Sequence, residues 1–142
     1  MYEVAVIHSH NGKIIVGGGA PSSTNKQVRI SSDNGATFST SIILSSATGY
    51  VRKLASTASG RLIAAGNGTA GLVCYSDNDG TSWSFSGYVG TQAVQALLVS
   101  PFGVLTGDAA GNIYRSADNG VNFNYVTGIG EGITDLTCRT LE

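Results

Sequence analysis

The sequence predicts an all-β protein of the β-propeller type, and three observations carry that prediction. An eight-residue phrase occurs three times, as Ser31-Ser32-Asp33-Asn34-Gly35-Ala36-Thr37-Phe38, Ser76-Asp77-Asn78-Asp79-Gly80-Thr81-Ser82-Trp83 and Ser116-Ala117-Asp118-Asn119-Gly120-Val121-Asn122-Phe123. Its glycines, Gly35, Gly80 and Gly120, lie 45 and then 40 residues apart, the period of a four-stranded propeller blade. Charged residues make up only 12% of the 142, with 20 glycines, against roughly 25% charged in an average soluble domain. Low charge with abundant glycine and short apolar runs suits many short strands joined by tight turns.

Each copy of the phrase has the chemistry of a tight hairpin. Asp33, Asn78 and Asp118 can accept backbone N–H groups two residues on, closing an Asx-type turn. The leading Ser31, Ser76 and Ser116 can reach the same turn, and Gly35, Gly80 and Gly120 supply a positive φ at no steric cost. Phe38, Trp83 and Phe123 open the next strand with a large apolar surface to bury between blades. The phrase resembles the Asp-box, or BNR repeat, of sialidases, sortilin-type receptors and xyloglucan hydrolases. That resemblance implies a propeller whose boxes are structural and lie on the blade rim, away from active sites. Asn78 stands where the family prefers Asp and Asn122 where it prefers Thr, and both keep an acceptor. The carboxylates lack the spacing of an EF-hand calcium loop.

Composition also excludes functions. A net charge of −1 without a basic cluster argues against nucleic acid as partner. No apolar run approaches the roughly 20 residues of a membrane-spanning helix, so no membrane partner is expected. The start, Met1-Tyr2-Glu3-Val4, lacks the basic segment of a secretion signal, and the chain reads as soluble. Cys74 and Cys138 sit in alternating apolar stretches, the setting of buried free thiols. Two cysteines are too few for a structural zinc site. No metal or cofactor is expected.

Taken in order, blade 1 (about 2–44) places strands at 2–9, 14–18, 27–32 and 38–44. Blade 2 (about 50–87) places them at 50–57, 62–65, 71–76 and 83–87. Blade 3 (about 93–127) places them at 93–100, 104–107, 112–116 and 123–127. The first two strands of each blade are nearly continuous apolar runs, as for strands covered on both faces. The tail, 132–140, reads as the first strand of a further repeat. Three blades and one strand fall short of the usual four and leave edges open. The expected partner is therefore the chain itself, a homodimer closing one six-bladed ring, unless the chain is part of a longer propeller.

Successive strands reverse, so first hairpins and boxes share one face of the disc. The opposite face holds the loops between second and third strands and the crossings between blades. It carries Ser22, Asn25, Lys26, Tyr50, Asn67, Tyr88, Gln92, Asp108 and Glu131, with Arg52 and Gln95 near the axis. Variable loops on a repeated scaffold are where binding resides, and Tyr50, Arg52, Tyr88, Gln92, Asp108 and Glu131 are the candidate ligand-binding residues. His8 and His10 share one side of a strand with no carboxylate close in sequence, and read as turn residues.

Several Asp-box families are hydrolases, and a sialidase-like site would need three converging arginines. Arg29, Arg52, Arg61, Arg115 and Arg139 fall by position on different strands and both faces. An ordinary glycosidase needs two carboxylates facing one sugar, for which Asp108 and Glu131 are the available pair. No Ser-His-Asp order is evident along the chain, and no catalytic residue is assigned. The function expected is a non-catalytic binding or scaffold module for a glycan or protein. The alternative is a glycoside hydrolase, sialidase- or xyloglucanase-like, with a site shared between chains.

Overall fold

The structure, a computed structural model, describes residues 3–19, 25–45, 49–68 and 70–138. Tyr2, Ser22, Arg139 and Thr140, part of the expectations above, lie outside the described residues, as do the side chains of Asn25 and Lys26. Twelve strands form three four-stranded antiparallel sheets, and among the described residues there is no helix. No helix is therefore long and apolar enough to cross a membrane.

The first sheet holds β1 (Glu3–His10), β2 (Lys13–Gly19), β3 (Asn25–Ser31) and β4 (Ser39–Ser45). The second holds β5 (Val51–Ser56), β6 (Leu62–Asn67), β7 (Gly71–Ser76) and β8 (Ser84–Tyr88). The third holds β9 (Val94–Ser100), β10 (Gly103–Asp108), β11 (Asn112–Ser116) and β12 (Asn124–Gly128). Within each sheet the strands neighbour one another in chain order. The first strands β1, β5 and β9 also touch in succession, so the sheets fan out as blades from an axis.

Alternation along the second strand of each blade decides which side chains face which neighbour. Ile15 and Val28 of blade 1 meet Leu62, Ala64, Leu72 and Cys74 of blade 2 in one buried cluster, with Ile30 and Trp83 packed against it. The other face of blade 2, Ile63, Ala65 and Val73, joins Val94 and Val104 of blade 3 in a second cluster, beside Tyr75, Tyr114 and Phe123. Trp83 and Phe123 are thus partly buried between blades. Phe38, at the equivalent place in blade 1, meets no neighbouring blade among the described residues and stays 44% exposed.

Polar bonds repeat at the same two junctions. Asn11 and Lys13, from the first hairpin of blade 1, bind Asp79 in the repeated turn of blade 2. Arg61 and Ser59, from the first hairpin of blade 2, bind Asn119 in that of blade 3. Ser41 donates to the Gly80 carbonyl and Ser86 to that of Gly120.

The tail differs from expectation. Residues 131–138 form no strand, because a first strand draws its hydrogen bonds from the second strand of its own blade, and none follows it among the described residues. Its course is nevertheless that of an entering first strand. Ile129 N–H donates to the Gly111 carbonyl as Val89 N–H donates to that of Gly71, both at 2.9 Å. Ile133 is buried at 6%, as are Val51 and Val94 at 2% and 0%, and a Cβ on Gly107 would lie 2.5 Å from the Ile133 side chain. Cys138, expected to be buried, is exposed on this unpaired tail, whereas Cys74 is buried and in no disulfide among the described residues.

Candidate functional site

The repeated turn is built alike in all three blades. Ser31 Oγ accepts Gly35 N–H at 2.8 Å and donates to Asp33 Oδ1 at 2.7 Å. Ser76 and Ser116 do the same with Gly80 and Asn78, and with Gly120 and Asp118. The acidic or amide side chain then accepts a backbone N–H four residues on, from Thr37, Ser82 or Asn122 at 2.8–2.9 Å, not two residues on as the Asx reading expected. The turn is longer because two successive residues are left-handed. Asn34, Asp79 and Asn119 have φ of 58°, 55° and 64°, followed by Gly35, Gly80 and Gly120 at 83–90°. Asn or Asp at that first position was the available signal.

These bonds favour the ionised acids. Thr37, through its hydroxyl and then its N–H, holds Asp33 down to about 2. Asn122 N–H, then Ser116 and the Asn122 side chain, hold Asp118 down to about 2.

The expected ligand-binding residues separate into three groups. Asp108 is fully buried; its Oδ1 accepts Ala110 and Asn112 N–H groups at 2.9 Å and its Oδ2 accepts Asn112 Nδ2 at 3.0 Å. It closes the β10–β11 turn and is not on a binding surface. The correction has a local cause: an Asp two and four residues before free N–H groups satisfies the turn that it starts. Burial and the Asp108 charge together raise Tyr114. Tyr88, Gln92 and Glu131 are exposed, and the Tyr88 ring meets Phe85 edge-on at 5.2 Å.

Arg52 and Gln95 come together. With Lys53 and Thr134 they line an axial cleft of about 320 Å³, and the Arg52 guanidinium lies 5.5 Å from the centre of the Tyr50 ring. Arg52 and Gln95 each lie eight residues before the glycine of their first hairpin, Gly60 and Gly103. Each follows a buried apolar residue, as Thr134 follows Ile133, so three successive equivalent positions converge there. Among the described residues, no hydrogen bond engages the side chains of Arg52, Lys53, Gln95 or Thr134. Lys53 and Thr134 were missed because the pleat and the tail's course, not local sequence, bring them in.

A larger hollow of about 740 Å³ lies on the opposite face, between the first hairpins of blades 2 and 3 and the third turn. Its polar groups satisfy one another. Asn119 Nδ2 donates to Ser59 Oγ at 2.6 Å, and Arg115 donates twice to the Phe102 carbonyl. Asp118 is held by Ser116 and Asn122. This hollow is a structural junction with an exposed Phe102 on its lip.

The histidines also depart from expectation. His10 is 4% exposed, and a carboxylate does reach it: Asp79 Oδ1 lies 3.2 Å from Nε2. It comes from the neighbouring blade, 69 residues away, where no local pattern could announce it. Burial, then the nearby His10, push His8 below its ordinary 6.5. Among the described residues, no cluster of three or more His, Cys, Asp or Glu side chains is arranged to hold a metal.

No protein-family model matches this chain, and no curated protein does. Solved structures of Trypanosoma rangeli sialidase resemble it distantly. A mutant displaying trans-sialidase activity gives a TM-score of 0.40 at 12% identity. The enzyme in complex with sialic acid gives 0.34 at 11%, and its covalent intermediate with 2,3-difluorosialic acid 0.31 at 12%. Each match covers 87% of this chain and 37% of the sialidase, so the chain spans little over a third of their length. Likeness at that level says nothing of function.

Proposed function

We propose that the protein is a binding module that holds an acidic glycan at the axial cleft. The observation that carries the reading is the convergence of Arg52, Lys53, Gln95 and Thr134 on one concavity, with their polar atoms unengaged among the described residues. Two cations and an amide suit a sugar carboxylate and its neighbouring hydroxyls, and the Tyr50 ring beside Arg52 offers an apolar face. The hydrolase alternative loses its acid pair, since Asp108 is sealed in its own turn. The test is a glycan array probed with the full chain. Uronic- and sialic-acid-terminated oligosaccharides are expected to bind and neutral ones not, with Arg52→Ala abolishing the preference. Equal binding of neutral and acidic glycans, or none, overturns the reading.

We read the repeated turn as an Asp-box on its threefold Ser–Asp/Asn–Gly bonding. The partner we propose is a second copy closing a six-bladed ring. Its support is the uncovered face of blade 1, where Val16, Arg29 and Phe38 line an apolar hollow of about 290 Å³. Blade 3 offers the exposed Phe102 and Val126 where the earlier blades use Asn11 or Ser59 and Ser41 or Ser86 to hold the next turn. Association would therefore be apolar. Light scattering should give twice the 14.5 kDa chain mass at high concentration, and a monomer at all concentrations would refute ring closure.

A further inference from the structure

The binding reading leaves one cluster unused, at the opposite face of the disc. Ser56, the last residue of β5, lies between two histidines of β1. Its Oγ is 2.6 Å from His10 Nδ1 and 2.7 Å from His8 Nε2. His10 Nε2 is 3.2 Å from Asp79 Oδ1 in the turn of blade 2. Asp79 is in turn fixed by Asn11 Nδ2 at 2.8 Å and Lys13 Nζ at 3.3 Å.

Asn11 Nδ2 also lies 3.3 Å from His10 Nε2 but donates to Asp79 at 2.8 Å, and for a neutral His10 the following assignment of protons then satisfies these bonds. Asp79 is ionised and accepts His10 Nε2–H, which leaves His10 Nδ1 as an acceptor. Ser56 O–H then points at that lone pair, and His8 Nε2–H donates to the Ser56 oxygen. A carboxylate thus fixes the tautomer of a histidine whose free lone pair faces a serine proton, the arrangement that activates a serine nucleophile. Here the ring is turned over, with Nδ1 rather than Nε2 toward the serine. The base is sealed, while Ser56 and His8 are half-buried. The carboxylate is itself a departure from the repeat. Asn34 and Asn119 occupy the equivalent place with the same left-handed backbone, so the turn does not require an acid there.

We infer that Ser56 is an activated nucleophile, with His10 as its base and Asp79 as a positioning residue, and that it takes up acyl or phosphonyl groups from small activated esters and fluorides. In the first step Oγ bonds to the carbonyl carbon or phosphorus and the Oγ proton passes to His10 Nδ1. The bond to the leaving group breaks; an alkoxide or phenolate takes that proton, and fluoride leaves it to solvent. Water attacking the acyl-serine with His10 again as base would restore the enzyme. This inference is independent of the axial cleft.

The test uses the full chain and a fluorophosphonate. Intact mass should show one phosphonyl adduct, and peptide mapping should place it on Ser56 rather than on the chain's other serines. Asp79→Asn, which Asn34 and Asn119 show the turn accepts, should slow labelling about tenfold or more. In ¹⁵N-resolved spectra, His10 should carry its proton on Nε2 in the wild type and lose that preference in D79N, a change that a merely structural Asp79 would not produce. Absence of a Ser56 adduct, adducts spread over many serines, unchanged labelling in D79N, or a His10 proton on Nδ1 in the wild type would each overturn it.

Discussion

Ser116→Ala tests the physical account of the repeated turn. Ser116 is fully buried, donates to the ionised Asp118 at 2.6 Å and accepts Gly120 N–H at 2.8 Å. Gly120 is buried too, so the N–H that loses its acceptor lies away from solvent. Removing the hydroxyl deletes a bond to a charged group and orphans a buried N–H; together these cost about 3 kcal/mol. For a chain of this size that lowers Tm by roughly 10 °C. Urea unfolding should show a lower midpoint at unchanged m. Ser39→Ala is the control, since Ser39 is exposed and its hydroxyl bonds the Ile30 carbonyl at 3.2 Å; it should change stability by less than about 0.5 kcal/mol. A loss in S116A below about 1 kcal/mol, or equal to that of S39A, would refute the argument.

Three further outcomes follow. Thr106 is fully buried and, among the described residues, its Oγ1 has no hydrogen-bond partner, so Thr106→Val should raise stability by about 1 kcal/mol in the same titration. Gly107→Ala places a Cβ against Ile133 and should free the tail, read as loss of hydrogen-exchange protection at Ile133 N–H, which bonds the Asp108 carbonyl at 3.0 Å. Stability should fall with acid in two windows. His8 sits below 6.5 in the fold, so the unfolded chain takes up its proton first and stability drops as pH falls below about 6.5. Asp33 and Asp118 sit at about 2 against an ordinary 3.8, so their contribution is complete above about 4 and is lost as pH falls from there toward 2. In pH-dependent unfolding curves His8→Gln should flatten the first window, and Asp118→Asn should shrink the second to the part that Asp33 contributes.

The blades were legible because each signal is local and repeated. The Ser, Asp or Asn, and Gly of each turn lie within five residues, and hairpin spacing fixes the strands between. Groups acting across blades were not. The Asp79 partner of His10 is 69 residues away, and nothing near His10 marks it. Asp108 misled because a surface loop and a self-sealing turn share one composition; the difference lies in Asn112 N–H pointing back at it. The tail's apolar alternation predicted a strand that does not form over 132–138, because pairing requires a partner strand that local pattern does not supply. At the axis, Arg52 and Gln95 were legible from their equivalent places before two hairpins, and Thr134 only from the path of the tail.

The most direct test of the binding account is a ¹⁵N–¹H titration of the full chain with a uronic-acid-terminated oligosaccharide. The account predicts saturating shifts at Arg52, Lys53, Gln95 and Thr134 that vanish in Arg52→Ala. Shifts confined to Phe102, Asn119 and their neighbours on the opposite face, or none at all, would contradict it.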